Sequence, residues 1–171
     1  TLFHALFGVS VIILLILSKI CLKLLVMLKC FTKMHGAGND FIIVEPQFFG
    51  LSNYRSKENT FSAEENQIMA PIIKETCRQK FGIGADGVLI VSSLGAGQFK
   101  MTVFNSDSSF GLMCGNGLRC VAAYLFDKKG TGNNFVVSTD SGDKAVSVEQ
   151  RNPKLFWVST FLGYPNNFKE H

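Results

Sequence analysis

From Lys29 onward the sequence predicts an α/β (α+β) domain, and three observations carry that prediction. Short apolar runs recur between turns rich in glycine and asparagine, as strands do. One stretch opens with a helix-start signature, and another places its apolar residues at helical spacing. Neither an all-helical nor an all-strand pattern accommodates both kinds of segment.

The elements follow in order. KCFTKM (29–34) alternates, with Cys30, Thr32 and Met34 on one face, and HGAGND (35–40) supplies a Gly-rich loop before the apolar run FIIVE (41–45). Residues 48–60 read as irregular. SAEE (62–65) has the spacing of a capping box, in which a Ser oxygen and a Glu carboxylate satisfy free helix amides, so a helix starts there. Pro71 lies inside that run and predicts a break, followed by a second helical piece with Ile72, Ile73, Thr76 and Cys77 facing inward. GIGADG (82–87) reads as backbone turning, because it lacks the Lys of a P-loop and the strand that precedes a dinucleotide fingerprint. VLIV (88–91), a turn at LGAG and QFKMTVFN (98–105) predict a hairpin whose second strand turns one face to the core, Phe99, Met101 and Val103 alternating with Lys100, Thr102 and Phe104. After SDSSFGLM and CGNG, residues Leu118, Val121, Ala122 and Leu125 stand at i, i+3, i+4 and i+7, the stripe of a buried helix face. Lys128, Lys129 and Gly130 end that helix, two cations complementing the dipole and a glycine free to turn left-handed. NNFVVST, KAVSVEQ and KLFWVST predict three further strands, and LGYPNNFKEH (162–171) brings no closing element.

Composition bounds the function. A chain of 171 residues that is 47% hydrophobic can bury a sizeable core, which excludes disorder as a description of the whole. Residues 1–28 hold two of the 17 Lys+Arg and none of the 13 Asp+Glu, leaving 15 against 13, or +2, for the rest. With signs interspersed, that balance leaves no electrostatic footprint for nucleic acid. Five cysteines, an odd number without C-x-x-C spacing, suit neither a disulfide framework nor a zinc site and point to a reducing, cytoplasmic compartment. Residues 1–28 have three readings: upstream sequence outside the working protein, a targeting or anchor segment, or a core helix. Their uncharged run, 5–18, is shorter than the roughly 20 apolar residues that span a bilayer.

Chemistry concentrates at Cys114-Gly115-Asn116-Gly117, a thiol at the start of an amphipathic helix. A helix start presents unsatisfied amides and roughly half a positive charge, which favour an anionic sulfur, and the glycines let a carboxylate approach the backbone. The alternative is a small packed Cys before a Gly-rich helix start. Cys120 falls off the Cys114 face and reads as packing, as do Cys77 and Cys30 on their inward stripes. His4, His35 and His171 are scattered and offer no nucleophile-base pairing.

KMHGAGNDF (33–41), FGIGADG (81–87), FNSD (104–107), MCGNGLRC (113–120) and VSTDSG (137–142) resemble diaminopimelate epimerase, in order and at its spacing. The resemblance covers 28 to about 168, essentially the first half of such an enzyme, and Met27 would be a natural start for it. It implies a mixed or antiparallel sheet wrapped on a central helix, the first of two similar domains with the substrate cleft between them. By it, 29–162 form the first domain and 163–171 begin the second. It also implies cofactor-independent epimerisation of LL- to meso-diaminopimelate, a step of lysine biosynthesis, with thiolate and thiol on opposite faces of the α-carbon. Cys114 would be one acid/base, Gly115 and Asn116 would hold the reacting carboxylate, and Asn39 and Asn105 would bind substrate through their amides. Otherwise each Asn reads as a turn residue. The expected partner is a small amino acid; membrane contact is expected only through residues 1–28, and a homodimer stays open. Three features depart from the family. No second Cys-Gly motif occurs before His171, the apolar opening is not expected, and Ser108, Ser109 and Phe110 follow Asp107 where Gly-Ser-Glu is usual. If that glycine serves a positive φ, Ser108 costs about 1 kcal/mol. A non-catalytic truncated or membrane-tethered fragment that keeps the fold, and another amino-acid epimerase or racemase of the same fold, are the alternatives.

Overall fold

The computed structural model describes residues 30–51 and 61–163. The chain divides into two compact units, Thr1–Cys30 and Phe31–His171, and all the elements below belong to the second. The expectations for residues 1–28 lie outside the described residues.

Strands β1 (Thr32–Gly36) and β2 (Asn39–Val44) pair antiparallel with Gly36 opposite Asn39. Only Ala37 and Gly38 form the loop, at φ 49° and 93°. Two left-handed residues make the type I′ turn that matches strand twist, so most of the expected HGAGND loop is ladder instead. Ala96 and Gly97, at φ 49° and 75°, close β3 (Gly87–Gly95) onto β4 (Gln98–Asn105) in the same way, giving the predicted hairpin.

A short β5 (Phe110–Gly111) pairs with β4, and β6 (Asn134–Thr139), β7 (Lys144–Asn152) and β8 (Leu155–Thr160) supply the three predicted later strands. The strand order is β1-β2-β3-β4-β6-β7-β8. The β2/β3 and β4/β6 pairs are parallel, and each is bridged by a helix. Helix α1 (Ala63–Cys77) makes the first crossover and α2 (Gly115–Lys129) the second.

The helices cover opposite faces of the sheet. Phe41, Ile43, Leu89, Val91, Met101 and Val103 pack with the predicted α2 stripe of Leu118, Val121, Ala122 and Leu125. Ile42, Val44, Val88, Ile90 and Phe104 pack with Met69, Ile73 and Cys77 of α1. Both faces of β4 are therefore buried, not one: Lys100, Thr102 and Phe104 are 6%, 3% and 4% exposed, and Phe104 packs in the cluster that α1 covers. Lys100 meets Asp140 there at 2.7 Å. Helix α2 touches strands from β1 at one end of the order to β8 at the other, so the mixed sheet curls around it.

Three expectations need correction. Helix α1 runs unbroken through Pro71. Met69, Ile73 and Cys77 are buried on one stripe while Pro71 faces outward, so burial on both sides of the proline offsets its missing hydrogen bond. The stretch read as irregular begins inside a 3-10 turn, Pro46–Phe49, whose Phe48 and Phe49 are buried edge to face at 5.2 Å. Cys30 is exposed, because pairing begins only at Thr32 and no sheet face exists at residue 30 to define an inside. No helix among the described residues is long and apolar enough to cross a membrane.

Candidate active site

Strand register gathers the site at one end of the central strands. Phe41 pairs with Gly87, and Gly87 with Asn105, so the starts of β2 and β3 lie beside the end of β4. Asn39, the 82–87 loop and Asn105 are thereby brought together, and the first turn of α2 reaches Asn39 through Asn116. Gly36 permits that approach, since a Cβ there would stand 2.9 Å from the Asn116 carbonyl oxygen and 3.1 Å from Cys120 Sγ.

Cys114 is the N-cap of α2, extended at φ −140° and ψ 110°, and half-buried. Its Sγ accepts the Gly117 amide at 3.3 Å and its carbonyl accepts the Leu118 amide at 2.8 Å. A Cβ on Gly117 would lie 3.3 Å from that sulfur and 3.0 Å from Leu89, so the glycine lets the thiol sit on the helix start. No acidic residue occupies the first turn. The Gly115 and Asn116 amides have no helical acceptor and face whatever binds. Leu162 lies against Gly115, where a Cβ would come within 3.0 Å of it.

Asn39 and Asn116, expected as substrate ligands, are in direct contact. The Asn116 Nδ2 donates to Asn39 Oδ1 at 2.8 Å, and Asn39 Nδ2 donates to Asp86 Oδ2 at 3.1 Å. At the other end Arg119 Nη1 donates to Asn116 Oδ1 at 2.7 Å. The same Asp86 oxygen accepts the Asp40 amide at 3.0 Å, and the Asp86 backbone bonds Asp40 and Ser106. Asp86 and Arg119 were not singled out from sequence. The GIGADG segment does turn the backbone, but its Asp also joins the site, and the signal was an acid next to glycines in a segment read for phosphate.

Asn105 stands apart from this relay. Its Nδ2 donates to Ser109 Oγ at 2.9 Å across the β4–β5 loop, so its side chain also does the work of a turn residue. Asp107 accepts the Ser109 amide at 2.8 Å, and hydrogen bonds from Ser109 hold its carboxyl below the usual range. Ser108 adopts φ 67°, the left-handed conformation that the expected glycine would take without strain.

The thiols differ in kind. Cys120 is 3% exposed, and burial, then the neighbouring Cys114, push its pKa up to about 11. Cys77 is also raised to about 11, by burial and then by Asp86. Both pack, as their stripes predict. Among the described residues no three His, Cys, Asp or Glu side chains converge as metal ligands do.

The family pattern described as diaminopimelate epimerase matches residues 31–166. The chain belongs to the diaminopimelate epimerase family. It is 36% identical over 135 residues to the diaminopimelate epimerase of Clostridium perfringens, covering 78% of this chain and 44% of that one. To the diaminopimelate epimerase of Archaeoglobus fulgidus it is 33% identical over 140 residues, or 82% and 45% of the two chains. The chain thus spans less than half the length of these relatives. Among solved structures, a methylitaconate delta-isomerase superposes with a TM-score of 0.50 at 15% identity, covering 72% of this chain and 35% of that one, a likeness of fold.

Proposed function

We propose that this chain carries one acid/base half of a cofactor-independent diaminopimelate epimerase. The observation that carries it is the Cys114 sulfur set on the Gly117 amide at a helix start without acids, beside Asn116 and Asn39. In this role the Cys114 thiolate takes the α-proton of the amino acid, and the departing charge spreads into the substrate carboxylate. The Gly115 and Asn116 amides then stabilise that developing charge more than the ground state, which is what lowers a barrier. Asn39 and Asn105 supply amides to the rest of the substrate. The partner thiol on the opposite face belongs to the part of the relatives' length that this chain does not span. The substrate is a small amino acid, the compartment the cytoplasm, and a homodimer is compatible with the role. Residues 29–162 form the first domain, 163–171 lead into the second, and 1–28 stand outside the catalytic unit.

Proton NMR of LL- and meso-diaminopimelate in heavy water, with the purified 171-residue chain, tests this. The expected result is slow exchange of the α-hydrogen with retained configuration, lost in Cys114→Ala. Absence of exchange, or exchange that survives Cys114→Ala, overturns the assignment. Inversion at an enzymatic rate would mean that a second acid/base comes from another residue or another copy.

A further inference from the structure

We infer that Asp86 and Arg119 are positioning residues whose opposite hydrogen-bonding character fixes which end of the Asn39 and Asn116 amides faces which neighbour. This rests on the reading above, and it identifies what sets the polarity of that site. The four side chains form one chain of contacts, Arg119 to Asn116 to Asn39 to Asp86, at 2.7, 2.8 and 3.1 Å. An isolated Asn amide rotates by half a turn at little cost, exchanging a donor for an acceptor at the same place. Two amides in series have two self-consistent arrangements, one with each direction of donation. The ends remove one of them. A guanidinium only donates, so the Asn116 atom facing it must be oxygen. A carboxylate only accepts, so the Asn39 atom facing it must be nitrogen. Reversing either amide alone puts like atoms face to face at both of its contacts, and reversing both does so at the two ends.

Each Asn is left with one free amide hydrogen and one free carbonyl lone pair, at directions the relay dictates. The relay thereby fixes which Asn116 atom a carboxylate on the α2 start can meet. Asp86 has a second hold, since the same oxygen accepts the Asp40 amide at 3.0 Å and its backbone ties β2 to the β4–β5 loop. Asp86 and Asn39 are exposed, so the arrangement stands at the strand ends and not within the core.

Because either end alone suffices to choose the direction, the two ends back each other up. The test is a cycle of Asp86→Asn, Arg119→Met and the double variant, with Arg119→Lys as the variant that keeps a donor. Two readouts are taken: the side-chain amide signals of Asn39 and Asn116 in ¹H–¹⁵N spectra, and the dissociation constant for LL-diaminopimelate by titration. Each single variant should keep one set of amide signals and weaken binding roughly threefold. The double variant should show two sets, or one averaged set, and weaken binding about thirtyfold or more, beyond the product of the singles. Arg119→Lys should behave better than Arg119→Met. The relay is overturned if the double variant keeps the original single set of amide signals, or if its loss in binding is merely the product of the single losses. A wild-type chain that fails to bind diaminopimelate overturns the function, while the amide signals still decide the relay.

Discussion

Helices α1 and α2 are each 15 residues long, each follows a strand in a parallel crossover, and they cover opposite faces of one sheet. Their amino ends are finished in opposite ways. At α1, Ser62 Oγ accepts the Glu65 amide at 3.1 Å while the Glu65 carboxylate accepts the Ser62 amide at 2.8 Å, and Glu64 adds a second acid. Donors and dipole are satisfied within the chain. At α2 the cap is a thiol, no acid follows, and glycines flank Asn116. A sulfur at 3.3 Å is a weaker acceptor than a hydroxyl or carboxylate, so α2 forgoes local stability that α1 secures. Its stripe is fully buried, and its other end is conventional, with Lys128, Lys129 and Gly130 at φ 66°. Packing holds α2, which leaves its amino end free for chemistry.

The largest effect that separates the two starts is catalytic. Cys114→Ala should lower the α-hydrogen exchange rate of diaminopimelate by at least ~100-fold, the range of a positioned acid/base. Ser62→Ala, measured per folded molecule in the same assay, should leave the rate within about twofold. Equal losses from both would show that exchange reports folding and not the α2 start.

Thiol chemistry comes next. The pKa values of Cys77 and Cys120 are raised to about 11 from an ordinary 9.0, so near pH 8 each has roughly 100-fold less thiolate than an ordinary thiol. Iodoacetamide followed by peptide mass mapping should therefore modify the half-buried Cys114 before either. A raised pKa favours the protonated form in the folded state, so the two buried thiols support the fold below about pH 9. That support is lost as pH rises from about 9 to about 11. Early modification of Cys120 or Cys77 would place the reactive start elsewhere.

Much of this contrast is legible in the sequence because caps are local. SAEE announces its box within four letters, and the α2 stripe with its terminal lysines and glycine needs only helical spacing. What was not legible depends on partners distant along the chain. Pro71 is tolerated because Met69 before it and Ile73 and Cys77 after it are buried against the sheet, and Phe104 is buried because α1 returns over it. Asp86 and Arg119 enter the site only when register sets residues 39, 86 and 116 side by side. The two-residue turn at Ala37-Gly38 escaped for a different reason, since six turn-forming letters in a row do not say which two make the turn.

A moderate effect tests the closed start directly. Ser62→Ala should destabilise the chain by about 1 kcal/mol, within the roughly 0.5–2 kcal/mol range for such caps, and Glu65→Ala by less, since it leaves the Ser62 acceptor in place. Both are read from the midpoint of urea unfolding. Neither change should alter the alkylation rate of Cys114, which lies on the other face of the sheet.

The smallest effect concerns the loop that delivers the chain to the open start. The Asn105 amide closes that loop onto the Ser109 carbonyl at 2.9 Å, and Ser108 must turn left-handed at φ 67° for the Ser108 amide to reach the Asn105 carbonyl at 2.9 Å. A residue with a Cβ pays about 1–2 kcal/mol for that conformation, whereas glycine adopts it freely but loses more chain entropy on folding. The difference should leave Ser108→Gly more stable by about 0.5–1 kcal/mol, seen as a higher urea midpoint with an unchanged slope. Ser108→Val should move the other way by at least 1 kcal/mol, because a β-branched side chain fits a positive φ worst. Destabilisation by Ser108→Gly would mean that the Ser108 side chain contributes more than its backbone costs. The strain near the α2 start would then be a structural contribution of this loop, not a departure that the fold tolerates.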